Sequence, residues 1–223
     1  MLLLAADTSG KHGSIALAEC GPGDECRIVE IVPLIGGTFS AQLVPQIAAL
    51  LAKHGFSKQD IGAFAVASGP GSFTGLRVGL AAIKALAEVL GKPIAAVSLL
   101  EAVAAAGNTG EVVLAALDAG RSEIYAGEYT AGKGITAFGE RLLSWDEFLA
   151  AARQRLVISP DAAVEEALRK VGLQAKQIEH PRSDAIARMG WKKVSSGQIV
   201  SPEKLEANYI RRSDAEIFAK NGP

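Results

Sequence analysis

The chain has 223 residues, 49% of them hydrophobic and 21% charged, a balance that belongs to a folded globular protein and excludes a disordered one. Its formal net charge of -1 provides no broad positive field, which counts against a free-standing nucleic-acid binder though not against a subunit of one. Its two cysteines, Cys20 and Cys26, flank a Gly-Pro-Gly-Asp-Glu turn and form neither a disulfide framework nor a C-x-x-C metal or redox motif.

The continuous apolar run at residues 2–6 predicts a buried strand; it lacks the length and basic flank of a signal peptide. Strands are also predicted over 14–19, by alternation, and over 27–34, after the turn. Residues 40–54 predict a helix with Leu43, Ile47, Leu50 and Leu51 on one face and Gly55 just past its end. Pro45 belongs to the first turn of that helix or kinks it. A short strand over 63–67 runs into Ser-Gly-Pro-Gly-Ser-Phe-Thr-Gly, residues 68–75, and then into a helix. The helix repeats Phe73, Leu76, Leu80, Ile83, Ala87 and Leu90 at three- and four-residue steps. A strand at 94–97 follows, and Ser98-x-x-Glu101 marks the start of another helix.

Gly-Asn-Thr-Gly, residues 107–110, breaks the pattern, after which the plan restarts. Leu-Ala-Ala-Asp-Thr-Ser-Gly at the start of segment 4–19 is matched by Leu-Ala-Ala-Leu-Asp-Ala-Gly at the start of segment 114–129. Each is an apolar strand ending in Asp, a small-Gly-basic turn, and a second strand beginning with Ile. Two such hairpins about a hundred residues apart predict an internally duplicated α/β fold, unless they are a coincidence of ordinary strand-turn-strand units. The lobes are drawn at 1–106 and 107–223. Beyond the second hairpin, Ser144-x-x-Glu147 caps a helix to about 155, a strand lies at 156–158, and a helix opened by Ser159-Pro160 ends at Gly172. Segment 175–182 is polar and aperiodic, a helix spans 183–196, and the charged tail 201–220 is expected to be extended and exposed, able to pack back on the first lobe. The longest apolar stretch, 78–90, is interrupted by Lys84 and Glu88, so no membrane span is expected and a cytoplasmic location is the simplest.

The glycine-rich turn at 69–75 lies between a strand and a helix, where phosphate-binding loops occur. Its spacing, G-x-G-x-x-x-G, fits neither the dinucleotide nor the Walker pattern. Ser72 is the expected N-cap; Arg77 stands close enough to assist an anion, and a plain tight turn is an equal reading. Gly75, Gly79 and Ala82 form a small-residue stripe that predicts close approach by another helix: that of residues 40–54, one of another chain, or both. Catalytic groups are sparse. His12, His54 and His180 make no metal-ligand spacing, and no nucleophile elbow is present. The best acidic candidates are Asp7 and Asp118, one at the end of each repeated strand. An Asp capping its own turn is the plainer explanation of both.

Residues 2–10 (LLLAADTSG), 63–80 (AFAVASGPGSFTGLRVGL), 114–129 (LAALDAGRSEIYAGEY) and 208–216 (NYIRRSDAE) resemble, in order, the bacterial TsaB family, also called YeaZ. The resemblance implies an α/β duplicated actin/Hsp70-like (ribonuclease-H-like) fold, two lobes each with a mixed sheet and flanking helices. It implies a non-catalytic subunit that binds and activates TsaD, the metal-bearing protein that transfers threonylcarbamoyl to the adenosine next to the tRNA anticodon. Further implied partners are the TsaE ATPase, tRNA only through the complex, and a second copy of the chain when it is isolated. No metal or cofactor is expected on the isolated chain, Asp7 and Asp118 being vestigial phosphate positions; ATP or ADP at the junction with TsaD is left open. The expected docking residues are Leu43, Ile47, Leu50, Phe73, Leu76, Arg77, Gly79, Leu80 and Ile83. Phe39 stands where the family often has His. The alternative is a nucleotide-dependent kinase or ATPase of the same fold that uses Asp7 and Asp118.

Overall fold

The computed structural model describes residues 1–107, 112–130 and 136–211. In the first sheet, β1 (Leu2–Asp7) pairs antiparallel with β2 (His12–Cys20), and β2 antiparallel with β3 (Cys26–Ile35). The other edge of β1 takes β4 (Ile61–Gly69) in parallel, and β4 takes β5 (Ile94–Ser98) in parallel, giving the order β3-β2-β1-β4-β5. The second sheet is built from β6 (Val112–Gly120), β7 (Glu123–Thr130), β8 (Thr136–Ser144), β9 (Leu156–Ser159) and β10 (Ala175–Gln177), in the order β10-β9-β6-β7-β8. Read from β8, the second sheet repeats the first strand for strand, with the same antiparallel and parallel pairings. The fold is thus a duplicated ribonuclease-H-like one, and the two similar hairpins in the sequence are its repeated β1–β2 and β6–β7 units.

Contacts divide the chain into two compact units: Met1–Ala102 with Pro181–Ala207, and Val103–His180 with the described residues after Ala207. The core of the first unit lies between the sheet and the helices α1 (Phe39–Lys53) and α2 (Phe73–Leu90). Leu4, Ile15, Leu17 and Phe64 from the strands meet Leu43, Ile47 and Leu50 of α1 and Leu76, Leu80 and Ile83 of α2. By alternation the opposite face carries Ala5, Ala16, Ala18, Ala65 and Ala95, all fully buried. These short side chains admit α6 (Ser183–Ser195) so closely that a Cβ on Gly190 would overlap the Ala65 methyl. This packing departs from the lobe boundary drawn from sequence, because α6, inside 107–223, belongs with the first unit. The tail packs back on the first unit as its reading allowed, but it is not exposed throughout: Leu205 is buried in the first unit's core, with Val200 and Ala207 against it.

In the second unit, α4 (Trp145–Ala152) and α5 (Ala162–Lys170) cover the sheet, with Phe148, Val164 and Leu168 packed on Leu114, Ile124 and Val157. In chain order α3 (Leu99–Ala106) follows β5; Ser98 caps it through Leu100 N–H and Glu101 N–H. Glu101 pairs with Lys193, at 2.8 Å. The full capping box forms at Ser144 and Glu147. Pro45 lies inside α1, on its exposed side, rather than in its first turn. The pattern break at Gly107 is a turn, and the rest of that expected loop lies outside the described residues, as does the tail beyond Arg211. Strands β8 and β10 had no counterpart in the sequence reading.

Candidate functional site

The glycine-rich turn leaves β4 at Gly69 and enters α2 at Phe73. Ser72 is the N-cap, accepting from Gly75 N–H at 3.3 Å, as its position predicts. The hollow of the turn is filled by the chain itself. The β1–β2 turn descends into it, with Asp7, Thr8 and Ser9 all buried. Asp7 Oδ1 accepts from Ser9 N–H at 2.9 Å and from Ser9 Oγ at 2.5 Å. Ser72 N–H donates to the Ser9 carbonyl at 2.6 Å, and Thr8 Oγ1 donates to the Gly75 carbonyl at 2.7 Å.

Three glycines permit this approach. A Cβ at Gly71 would stand 2.5 Å from the Ser9 carbonyl oxygen; one at Gly75 would overlap the Thr8 carbonyl oxygen, and one at Gly79 would overlap Thr8 Oγ1. Gly75 and Gly79 of the small-residue stripe therefore seat a turn of the same unit, and Gly79 is a buried packing position. The same geometry takes up part of what a phosphate cradle would use. An anion needs amide N–H groups pointing into open space, whereas those of Ser72 and Gly75 are already bonded and Ser9 occupies the hollow. The Arg77 guanidinium lies 3.8 Å from the centre of the Phe73 ring.

The equivalent turn of the second unit is held differently. Arg121 and Ser122 both have φ of 59°, the left-handed pair that a two-residue hairpin turn demands. Asp118 Oδ1 accepts from Gly120 N–H at 2.7 Å, and Asp118 N–H donates to Asp161 Oδ2 at 2.7 Å. Arg211 clamps the turn from the tail. Its guanidinium donates to the Ala119 carbonyl at 2.8 Å and the Gly120 carbonyl at 3.2 Å, pairs with Glu123, and stands 5.8 Å from the Tyr125 ring centre. Burial works to raise the pKa of Asp161, but hydrogen bonds from His180, 3.1 Å away, and from Asp118 N–H outweigh it, so the carboxyl is held below its usual range. Both candidate aspartates cap their own turns, Asp7 buried and Asp118 exposed. Thr8, Asp161 and Arg211 went unmarked in the sequence reading, although Thr8 lies in the repeated Asp-Thr-Ser-Gly segment and Arg211 in Asn-Tyr-Ile-Arg-Arg.

Of the expected docking residues, Leu43, Ile47, Leu50, Leu76, Leu80 and Ile83 are core residues, none more than 7% exposed. The amphipathic stripe that made them visible is the stripe each helix turns to its own sheet. Phe39 is likewise buried, its ring filling the space that Gly13 leaves open. The outward faces carry a second set. On α1 they are Ala41, Val44 and Ala48; on α2, Arg77, Ala81, Ala85 and Val89. Val44 is 52% and Val89 77% exposed. The α1 stripe is uncharged and the α2 stripe carries Arg77 and Glu88 among its small residues, whose short side chains allow a partner helix to come close. Among the described residues no three His, Cys, Asp or Glu side chains gather as a metal site, and no helix is long and apolar enough to cross a membrane.

A family model described as TsaD, tRNA N6-adenosine threonylcarbamoyltransferase, matches residues 31–188. The Bacillus subtilis protein named tRNA threonylcarbamoyladenosine biosynthesis protein TsaB is 30% identical over 97% of this chain and 96% of its own length. The chain belongs to the TsaB (YeaZ) family. A Haemophilus influenzae member of the same name is 34% identical over 74% of this chain and 66% of its own length. The structure of YeaZ from Pseudomonas aeruginosa superposes with a TM-score of 0.71 at 26% identity, covering 93% of this chain and 99% of that one. The likeness to YeaZ therefore extends over both repeats.

Proposed function

We propose that this protein acts in tRNA threonylcarbamoyladenosine biosynthesis as a non-catalytic subunit that binds and activates TsaD. The process is the one named for its TsaB relatives. The observation that supports docking is the pair of outward stripes on α1 and α2, small and apolar around Val44 and Val89. A TsaD subunit built on the same repeated fold would present a comparable helix pair, and two such pairs pack as a four-helix contact. The isolated chain would use the same stripes to form a homodimer, which TsaD replaces. TsaE and tRNA then engage the complex rather than this chain alone. The filled glycine-rich turn supports the non-catalytic reading: the Ser72 and Gly75 N–H groups are already bonded, and Asp7 is committed to the Ser9 turn. Any ATP or ADP is assigned to the junction with TsaD, and no chemical step is assigned to this chain.

The test is co-expression with the organism's own TsaD and capture through a tag on either protein. The wild-type chain is expected to co-purify, and Val44→Glu with Val89→Glu to abolish capture while melting stays within about 1 °C of wild type, as for surface substitutions. Failure of the wild type to capture TsaD overturns the reading. ATP turnover by the isolated chain that disappears in Asp7→Asn would establish the kinase alternative in its place.

A further inference from the structure

The register of β2 against β3 sets Cys20 directly opposite Cys26. Both backbone groups of Cys20 bond away from β3: its N–H donates to the Met1 carbonyl at 2.8 Å, and its carbonyl accepts from the Met1 amino group at 2.6 Å. The next pair along the hairpin is the bonded one, with Gly21 N–H donating to the Glu25 carbonyl at 2.9 Å. Cys20 and Cys26 thus form a non-hydrogen-bonded cross-strand pair, the position at which facing side chains come closest. Its Cα spacing of about 4.5 Å falls within the range that a disulfide spans. Their side chains share the face covered by α6, 3% and 6% exposed, with the sulfurs 2.7 Å apart.

The surroundings separate the two thiols chemically. The hydrogen bond from Cys20 Sγ and the charge of Arg188 lower the pKa of Cys26 against the effect of burial. The same hydrogen bond, with burial, raises that of Cys20. With Cys26 shifted towards the thiolate and Cys20 towards the thiol, Cys26 is taken as the attacking sulfur. The hairpin tip also meets three residues from one face of α6. Arg188 donates to the Cys26 carbonyl at 2.7 Å, Trp191 Nε1 donates to the Gly23 carbonyl at 3.0 Å, and Lys192 pairs with Asp24 at 3.3 Å.

We propose that Cys20 and Cys26 form a reversible intramolecular disulfide, making the tip of the β2–β3 hairpin a thiol-redox modification site. With a peroxide as oxidant, the Cys26 thiolate attacks one peroxide oxygen and the O–O bond breaks. This gives Cys26 sulfenic acid and hydroxide, which takes up the proton that Cys26 released to become water. Cys20 sulfur then attacks the sulfenic sulfur; the S–O bond breaks, and the leaving hydroxide takes the Cys20 proton as a second water. Two thiols and one hydrogen peroxide become one disulfide and two waters, and a dithiol reductant returns two electrons and two protons. The residues between the cysteines, from Pro22 to Glu25, are solvent-exposed, so opening this one turn admits the oxidant without unfolding the sheet.

The test uses the full chain, reduced and then treated with hydrogen peroxide while folded. Intact mass is expected to fall by two hydrogens, thiol titration in denaturant to drop from two groups to none, and a non-reducing digest to yield one cross-linked peptide joining Cys20 and Cys26. Dithiothreitol is expected to restore both thiols. Hydrogen exchange at Gly21 is expected to slow by about tenfold on oxidation, since closing the ring suppresses the opening of that turn. Two titratable thiols persisting after peroxide, or a disulfide-linked dimer in place of the internal bond, would overturn the proposal.

Discussion

Replacing Gly75 by alanine places a methyl group against the Thr8 carbonyl oxygen, with the carbonyl carbon only 3.2 Å away. That oxygen belongs to the backbone of a buried turn and cannot swing aside as a side chain can. Three contributions set the outcome. Alanine improves helix propensity by about 1 kcal/mol. Displacing the turn breaks the Thr8 Oγ1–Gly75 carbonyl bond, costing about 1 kcal/mol, and overpacking costs about 1–3 kcal/mol more. The net is a destabilisation of about 1–3 kcal/mol, or roughly 2–4 °C of melting temperature per kcal/mol in a chain of this length. At Gly79 the obstacle is only the Thr8 hydroxyl, which can rotate, so Gly79→Ala loses the same hydrogen bond, gains the same propensity, and comes out near zero. The two sites separate when Thr8 is also changed. In a Thr8→Ala background the hydroxyl is gone, and Gly79→Ala is expected to stabilise by about 1 kcal/mol, whereas Gly75→Ala is expected to cost about 0–2 kcal/mol because the carbonyl is still there. Thermal unfolding of the six proteins decides it. Wild-type or higher melting in Gly75→Ala, or a Gly79→Ala effect indifferent to residue 8, would refute the seating of the turn against α2.

Two further outcomes concern the second repeat. Because Asp161 has its carboxyl pKa depressed in the folded state, its contribution to stability is present above the ordinary carboxylate range and is lost as pH falls through the folded value. The stability gap between wild type and Asp161→Asn, read by urea unfolding, is therefore expected to hold from neutrality to about pH 5 and to close below about pH 4. Arg211→Ala removes a two-carbonyl clamp and is expected to cost about 1–3 kcal/mol, with faster hydrogen exchange in the β6–β7 turn; Lys, lacking the planar fork, is expected to restore less than half.

What the sequence disclosed follows the reach of the interactions involved. Ser72 and Ser144 were legible as caps because each bonds an amide within three residues of itself. The duplication was legible because each hairpin carries its own strand alternation and turn. Strand β10 left no pattern: Ala175–Gln177 has three residues, pairs only with β9, and presents no buried face that would impose alternation. Arg211 lies 92 residues from the carbonyl of Ala119 that it clamps, and no local rule connects them.

The expected docking residues differ from the proposed docking face for a more general reason. On α1 and α2 the strongest apolar periodicity belongs to the face buried in the chain's own core, here Leu43, Ile47 and Leu50 with Leu76, Leu80 and Ile83. A second face meant for a partner cannot be equally large and apolar, or the isolated chain would expose a wide greasy patch. The face proposed above is built instead from residues such as Ala41, Ala48, Ala81 and Ala85, with Val44 and Val89 among them. Alanine is the most ordinary helix-forming residue, so such a face has little contrast with a solvated one. It becomes legible by subtraction, once the core face has been assigned and the apolar residues left over are seen to share the outward side of adjacent helices. The same subtraction applied to Gly75 and Gly79 removes them from the surface altogether, because Thr8 already fills the space they leave.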